Sequence, residues 1–156
     1  MSERDPAPPR GSDASVGCTT PILRVANLDA SLAYYASALG FSLAWRHGDF
    51  AQVARGEAAL MLCEGDQGHP GTWVYVGVSD ADALDRELRH RGAMIRSGPT
   101  NYPWGARELH VRDPDGHVLR FGSDAAPGAA CGDWLDGTGR WWSPQPDGSW
   151  RQVERG

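Results

Sequence analysis

Glu108 and His110 stand two residues apart in Arg107-Glu108-Leu109-His110-Val111-Arg112, and Arg120 follows in His117-Val118-Leu119-Arg120-Phe121. On a strand, residues two apart point to one face, so Glu108 and His110 reach the same space. A carboxylate beside an imidazole can act as a general acid/base pair, or supply two ligands to a metal whose third would come from His47 or Asp49. An arginine turned into a cleft needs a partner, either a carboxylate such as Glu108 or an acid on a ligand. The other histidines offer less. His69 lies in a linker and His90 at a helix end, both expected in solvent, and His117 follows a turn and is expected at a hairpin edge. The sequence contains no glycine-rich phosphate loop, nucleophile elbow or Cys/His dyad.

A second group of residues suits binding rather than reaction. Asn101-Tyr102-Pro103-Trp104-Gly105 reads as a loop, because its Pro and Gly break regular structure. Tyr102 and Trp104 at the mouth of the next hairpin suggest a lid over an apolar cleft; two rim aromatics that only pack fit these residues equally well. Strand alternation sends Thr20, Ile22, Ala58, Leu60, Leu62, Trp73, Tyr75, Val118 and Arg120 to the cleft face. Leu23, Val25, Met61, Val74, Val76, Leu119 and Phe121 then face the helices. Trp73, Tyr75 and Trp104, with Phe50, could hold a planar ring, each aromatic pair adding about 0.5–1.5 kcal/mol beyond area burial. The alternative is that these rings simply fill the concavity.

Two similar sets of elements must position these residues. In the first, a strand over 19–25 leads to a helix capped by Asn27 or Asp29, with Leu28, Leu32, Tyr35 and Leu39 as its buried stripe and Gly40 as its end. Strands over 41–47, 50–54 and 58–63 follow, punctuated by Gly48-Asp49 and Arg55-Gly56-Glu57. After a polar linker over 64–71 the order repeats. A strand over 72–78 leads to a helix capped by Ser79 or Asp80, with Leu84 and Leu88 inward. A short strand over 94–96 precedes the hairpin 107–112 and 117–121 around Asp113-Pro114-Asp115-Gly116. Val25-Ala26-Asn27-Leu28-Asp29 answers Val78-Ser79-Asp80-Ala81-Asp82, and Gly56 answers Gly116, so the chain holds two copies of one unit. The fold predicted is α+β: two βαβββ repeats forming a curved eight-strand sheet, helices on the convex face, a cleft on the concave face. Residues 1–17 read as a disordered arm, 18–124 as the domain (modules 18–63 and 72–122), and 125–156 as a Gly/Trp-rich extension. In that extension Trp134, Trp141, Trp142 and Trp150 flank Asp136-Gly137 and Asp147-Gly148, which predicts one or two small hairpins docked by their rings.

Composition narrows the function classes. A chain of 156 residues with 40% hydrophobic residues and seven Trp has room for one real core. A formal charge of −5 disfavours nucleic acid and mildly favours a cationic ligand, with Glu108, Asp49 and Glu57 available to meet it. No apolar run approaches membrane length and no apolar leader opens the chain, so a cytoplasmic protein without a membrane partner is expected. Cys18, Cys63 and Cys131 show no metal spacing and are expected as free thiols.

Tyr102-Pro103-Trp104-Gly105, Arg107-Glu108 and Asp113-Pro114-Asp115-Gly116-His117, in that order and spacing, resemble the last hairpin of bleomycin-resistance-type proteins of the vicinal-oxygen-chelate (glyoxalase-like) superfamily. The resemblance covers roughly residues 19–122. Enzymes of that superfamily hold a divalent metal through His, Gln or Glu on the first and last strand of each half. Carried over, those positions are Thr20, Leu60, Trp73 and Arg120, none a good ligand. The resemblance therefore implies a protein with neither metal nor cofactor that sequesters an aromatic, cationic small molecule such as a bleomycin-like antibiotic. It also implies a homodimer with clefts at the subunit interface. The expected ligand-binding set is Phe50, Leu60, Trp73, Tyr75, Tyr102, Trp104, Glu108, His110 and Arg120. Two rivals remain: a metal-dependent lyase or dioxygenase with relocated ligands, and an interaction module that uses the Trp-rich tail.

Overall fold

The structure, a computed structural model, describes residue 11 and residues 15–156, so the arm expected over 1–17 lies almost wholly outside the described residues. The first module runs β1 (Ile22–Arg24), α1 (Leu28–Ser37), β2 (Ser42–His47), β3 (Phe50–Arg55) and β4 (Ala58–Cys63). The second repeats it: β5 (Trp73–Gly77), α2 (Ala81–His90), β6 (Met94–Asn101), β7 (Ala106–Arg112) and β8 (Val118–Asp124). The eight strands divide into two four-stranded sheets rather than one, in the orders β1-β4-β3-β2 and β5-β8-β7-β6. In each, the strand before the helix pairs in parallel with the last strand of its module, and the remaining pairs are antiparallel.

Local chemistry explains the boundaries. The side chains of Asn27 and Asp80 accept the backbone N–H of Ala30 and Ala83, at 2.8 and 2.9 Å, and so start the helices. Gly40 and Gly92 follow the helices at φ 70° and 82°, where a side chain is disfavoured. β1 is shorter than the expected 19–25, because Pro21 offers a carbonyl, taken by Met61 N–H at 2.9 Å, but no N–H for the ladder. β6 is longer than expected and absorbs Pro99 through two register shifts on the edge of its sheet.

Both helices and one face of each sheet share a single core, with Leu23, Tyr35, Leu88, Leu109, Leu119 and Phe121 among its fully or nearly buried members. Leu60 and Leu62 belong to this core, at 1% and 0% exposure, not to the cleft face. Parallel pairing sets Leu23 opposite Leu62 and Ile22 opposite Met61, which turns Met61 outward. β4 is apolar on both faces, so alternation defines its two sides without choosing which is inner.

No ladder joins β1 to β5. The Asp113-Pro114-Asp115-Gly116-His117 turn ties the modules instead. His117, expected at a hairpin edge, is 0% exposed. Its Nδ1 accepts Thr72 N–H at 2.9 Å, so its Nε2–H donates to the Arg24 carbonyl at 2.6 Å. Asp115 accepts Ala26 N–H at 2.8 Å, and the Tyr35 hydroxyl donates to Asp113 at 3.0 Å. Burial and the nearby Asp113 hold the Tyr35 hydroxyl well above its ordinary pKa, so it stays a donor.

The extension forms a third sheet, β9 (Trp134–Leu135), β10 (Trp141–Pro144) and β11 (Trp150–Val153), antiparallel throughout. Its connecting segment is pinned to the second module by Asn101, whose side-chain N–H groups reach the carbonyls of Ala126 and Ala129 at 2.9 and 3.2 Å. Arg96 donates to the carbonyls of Leu135 and Asp136. Among the described residues, no helix is long and apolar enough to cross a membrane. Cys18 and Cys131 are exposed, Cys63 is buried, and all three are free.

Candidate functional site

The face of the second sheet away from the helices carries Trp73 and Tyr75 on β5, Glu108 and His110 on β7, and Arg120 on β8. The registers Tyr75↔Arg120 and Arg120↔His110 set the three strands side by side. The β6–β7 turn brings Tyr102 and Trp104 to the same place. This turn is tight, closed by Tyr102 N–H to the Ala106 carbonyl at 2.9 Å.

Glu108 is the hub. Its Oε1 accepts Trp104 Nε1–H at 2.7 Å and Arg120 Nη2–H at 2.9 Å. Its Oε2 accepts Arg120 Nε–H and His110 Nε2–H, each at 2.9 Å. A carboxylate has about four lone-pair sites, and all are taken. Burial alone would raise the Glu108 pKa; the bonds from His110, Arg120 and Trp104 outweigh it and hold the group at about 2. Burial lowers the His110 pKa, only partly opposed by Glu108, so the imidazole is neutral with its proton on Nε2. Among the described residues, its buried Nδ1 has no hydrogen-bond partner, nor does the Tyr102 hydroxyl. Glu108 is ionised and fully bonded, and it holds His110 as a neutral imidazole whose Nδ1 lone pair is buried beneath the rings.

The extension covers this face of its own module. The Trp134 ring lies 5.0 Å from His110, 5.3 Å from Tyr102, 5.5 Å from Trp104 and 5.8 Å from Trp73, with the Arg120 guanidinium 4.9 Å above it. Glu108, His110 and Tyr102 are thereby sealed at 0–1% exposure. Arg96 stacks on Trp73 at 4.9 Å while bonding the extension's backbone, which locks that edge. What stays open is a cage of about 550 Å³ lined by Trp104, Arg120, Trp134, Trp142 and Trp150. Trp104 is 49% exposed there, and Trp142 is held by its Nε1–H on Asp136 at 2.8 Å.

The expected site residues thus fall into four places. Trp104 and Arg120 line the cage, while Tyr102, Glu108 and His110 lie beneath it. Trp73 and Tyr75, with Thr20 and Leu60, line a separate groove of about 690 Å³ between β1, β4 and β5, although Leu60 is a core residue. Phe50 stands apart on the first module, stacked on Trp45 at 5.8 Å. Of the acidic residues considered for a cation, Glu108 is buried and fully bonded, Asp49 sits in an exposed turn of the first module, and Glu57 lines the groove with Trp73 and Tyr75. Sequence reasoning missed Trp134, Trp142 and Trp150 as site residues. Their signal was the Trp-rich extension itself, whose docking was expected but whose target face was not.

A divalent metal does not fit the four carried-over positions. Thr20 is a weak donor, Leu60 points into the core, Trp73 has no ligand atom, and Arg120 brings a positive charge. Among the described residues, no three His, Cys, Asp or Glu side chains converge on a common point.

Comparison with known proteins agrees with this architecture. The bleomycin-binding protein of bleomycin-producing Streptomyces verticillus, solved with copper(II)-bleomycin, is 25% identical with a TM-score of 0.61, over 72% of this chain and 99% of that one. TioX from Micromonospora sp. ML1 is also 25% identical, with a TM-score of 0.60 over 69% and 99% of the two chains. A glyoxalase/bleomycin resistance protein/dioxygenase from Nocardioides is 24% identical, with a TM-score of 0.58 over 76% and 92%. No curated protein sequence matches. The family model described as Glyoxalase/Bleomycin resistance protein/Dioxygenase superfamily matches residues 17–121, and with two βαβββ modules in place the chain belongs to that superfamily.

Proposed function

We propose that this chain binds and sequesters a small molecule with planar rings, without a metal, at the cage between its second module and its extension. The observation that carries the reading is the convergence of four tryptophans from two parts of the chain on one open cavity of about 550 Å³, floored by the Arg120–Glu108 pair. Ring faces give stacking area at little entropic cost, and a bonded ion pair beneath them fixes orientation. The burial of both Glu108 and His110 beneath the rings supports binding over catalysis. The similar Streptomyces verticillus protein, bound to copper(II)-bleomycin, makes bleomycin-like glycopeptides the first probes. The extension turns Trp134 inward onto its own module, which favours a ligand site over a surface for a protein partner.

A homodimer belongs to the same proposal. β2 is an exposed edge strand along its whole length, with Leu43 54% and Trp45 39% exposed. Such an edge is ordinarily covered, and light scattering at micromolar concentration tests it. The binding test is a titration of the full chain, by tryptophan fluorescence and calorimetry, with bleomycin-like glycopeptides and other planar natural products. Trp104→Ala is expected to weaken each hit by about 2 kcal/mol. Unchanged binding in that variant would remove the cage from the reading.

A further inference from the structure

The cage's own charges restrict what it holds, and this inference rests on the proposed planar-ligand site. Arg120 spends Nε and Nη2 on Glu108. Its Nη1 has no hydrogen-bond partner among the described residues, yet Arg120 lines the cavity. The guanidinium carbon stands 4.9 Å from the centre of Trp134 and 5.8 Å from those of Trp104 and Tyr75. An aromatic cage ordinarily attracts a cation to its ring faces. Here two of the four lining rings already face a cation that belongs to the protein, and a second positive group would enter beside it. Glu108 offsets that charge, but it is fully buried and has no lone pair left to offer. The groups that remain available are the Trp ring surfaces and the Nη1 donors. A carboxylate is the natural complement of a guanidinium edge, with shorter and stronger bonds than a neutral acceptor makes.

We infer that the cage takes a planar aromatic or polycyclic molecule bearing a carboxylate or similar anionic oxygen. Its rings stack among Trp104, Trp142 and Trp150, and its oxygen meets Arg120 Nη1. This choice is opposite in sign to the one that the chain's net charge suggests.

The test uses the full chain and one flat, non-fluorescent scaffold, an anthraquinone carrying a carboxylate, a carboxamide or an aminomethyl group. Binding is read by quenching, by calorimetry and by the indole N–H signals in NMR. The carboxylate is expected to bind at least about tenfold more tightly than the aminomethyl compound, with the carboxamide between them. Added salt should weaken only the carboxylate. In Glu108→Gln/Arg120→Met, which removes both charges together, the affinity ratio of carboxylate to aminomethyl compound should collapse toward one. If that variant does not fold, the salt dependence of the parent protein decides. Equal or tighter binding of the aminomethyl compound, a preference unchanged in the double variant, or carboxylate binding indifferent to salt would each overturn the inference. Carboxamide binding without any carboxylate preference sinks the charge assignment and leaves the planar-ligand reading standing. Failure of all three compounds and of bleomycin sinks both.

Discussion

Replacing Arg120 by Met probes the hub beneath the cage. Arg120 supplies two of the four hydrogen bonds on Glu108, and Glu108 has no exposed surface through which water could replace them. Removing one partner of a buried ion pair costs about 3–5 kcal/mol. The Arg120 side chain is itself 27% exposed, and Trp104 and His110 still donate to Glu108, so the lower end applies, about 3 kcal/mol near neutral pH. The pH dependence sets this loss apart from lost packing. In the parent, the Glu108 pKa is held at about 2 against an ordinary 4.5, which adds stability above 4.5 and loses it as pH falls toward 2. In Arg120→Met, burial is left weakly opposed and the Glu108 pKa rises, so the carboxyl protonates early and the penalty shrinks on acidification. Urea denaturation followed by circular dichroism should show the two proteins converging between neutral pH and about pH 4. Adding Glu108→Gln to Arg120→Met should recover most of the loss near neutral pH. A loss below about 1 kcal/mol, or a gap that ignores pH, would refute the view of Glu108 as a buried anion neutralised by Arg120.

The parent protein should lose stability in acid in two stages. His110, whose pKa is lowered by burial, resists protonation as pH falls below 6.5, and Glu108 follows between 4.5 and about 2; melting temperature against pH reads both, and a flat profile down to the carboxylate range contradicts the His110 assignment. Trp134→Ala should uncover the hub, costing about 2–3 kcal/mol because the ring is only half-buried. In that variant the His110 pKa, followed by NMR, should move up toward 6.5, whereas an unmoved titration would mean that the extension does not seal the site. His117→Ala leaves the Arg24 carbonyl and Thr72 N–H without partners and should cost about 3 kcal/mol in denaturant unfolding. A loss within experimental scatter would remove His117 from the tie between modules.

Much of the fold was legible because its signals are local. Asn27 and Asp80 cap helices whatever lies around them, and Gly40 and Gly92 end them for a backbone reason. The repeated order of these elements then implied two modules. What failed were choices that only packing makes. β4, Ala-Ala-Leu-Met-Leu-Cys, is apolar at every position, so nothing local reveals that Leu60 and Leu62 turn inward. His117 follows a turn, and turns are usually wet. Its burial comes from the partners it bonds, 45 and 93 residues away in the chain. β6 runs through Pro99 because an edge strand with shifted register tolerates a missing N–H, and no sequence window marks a strand as an edge.

Part of the candidate site was legible in the sequence, but neither its state nor the share contributed by Trp134, Trp142 and Trp150 was. Glu108, His110 and Arg120 were rightly placed on one face by period-two alternation, and the pairing of Arg120 with Glu108 follows once both occupy it. Whether that pair is a reactive centre or a floor depends on who else donates to Glu108. Trp104 and His110 complete its coordination, and Trp134, 26 residues further on, excludes the water that would otherwise compete. The extension therefore changes what the superfamily cleft offers. It buries the polar hub, where the His110 Nδ1 and the Tyr102 hydroxyl have no partners among the described residues, and it brings Trp142 and Trp150 to face Trp104 across an open cavity. This face of the second sheet presents a neutralised ion pair under rings. Glu108 accepts no further donor and His110 is fully buried, so what the open cavity offers is ring surface and the edge of Arg120.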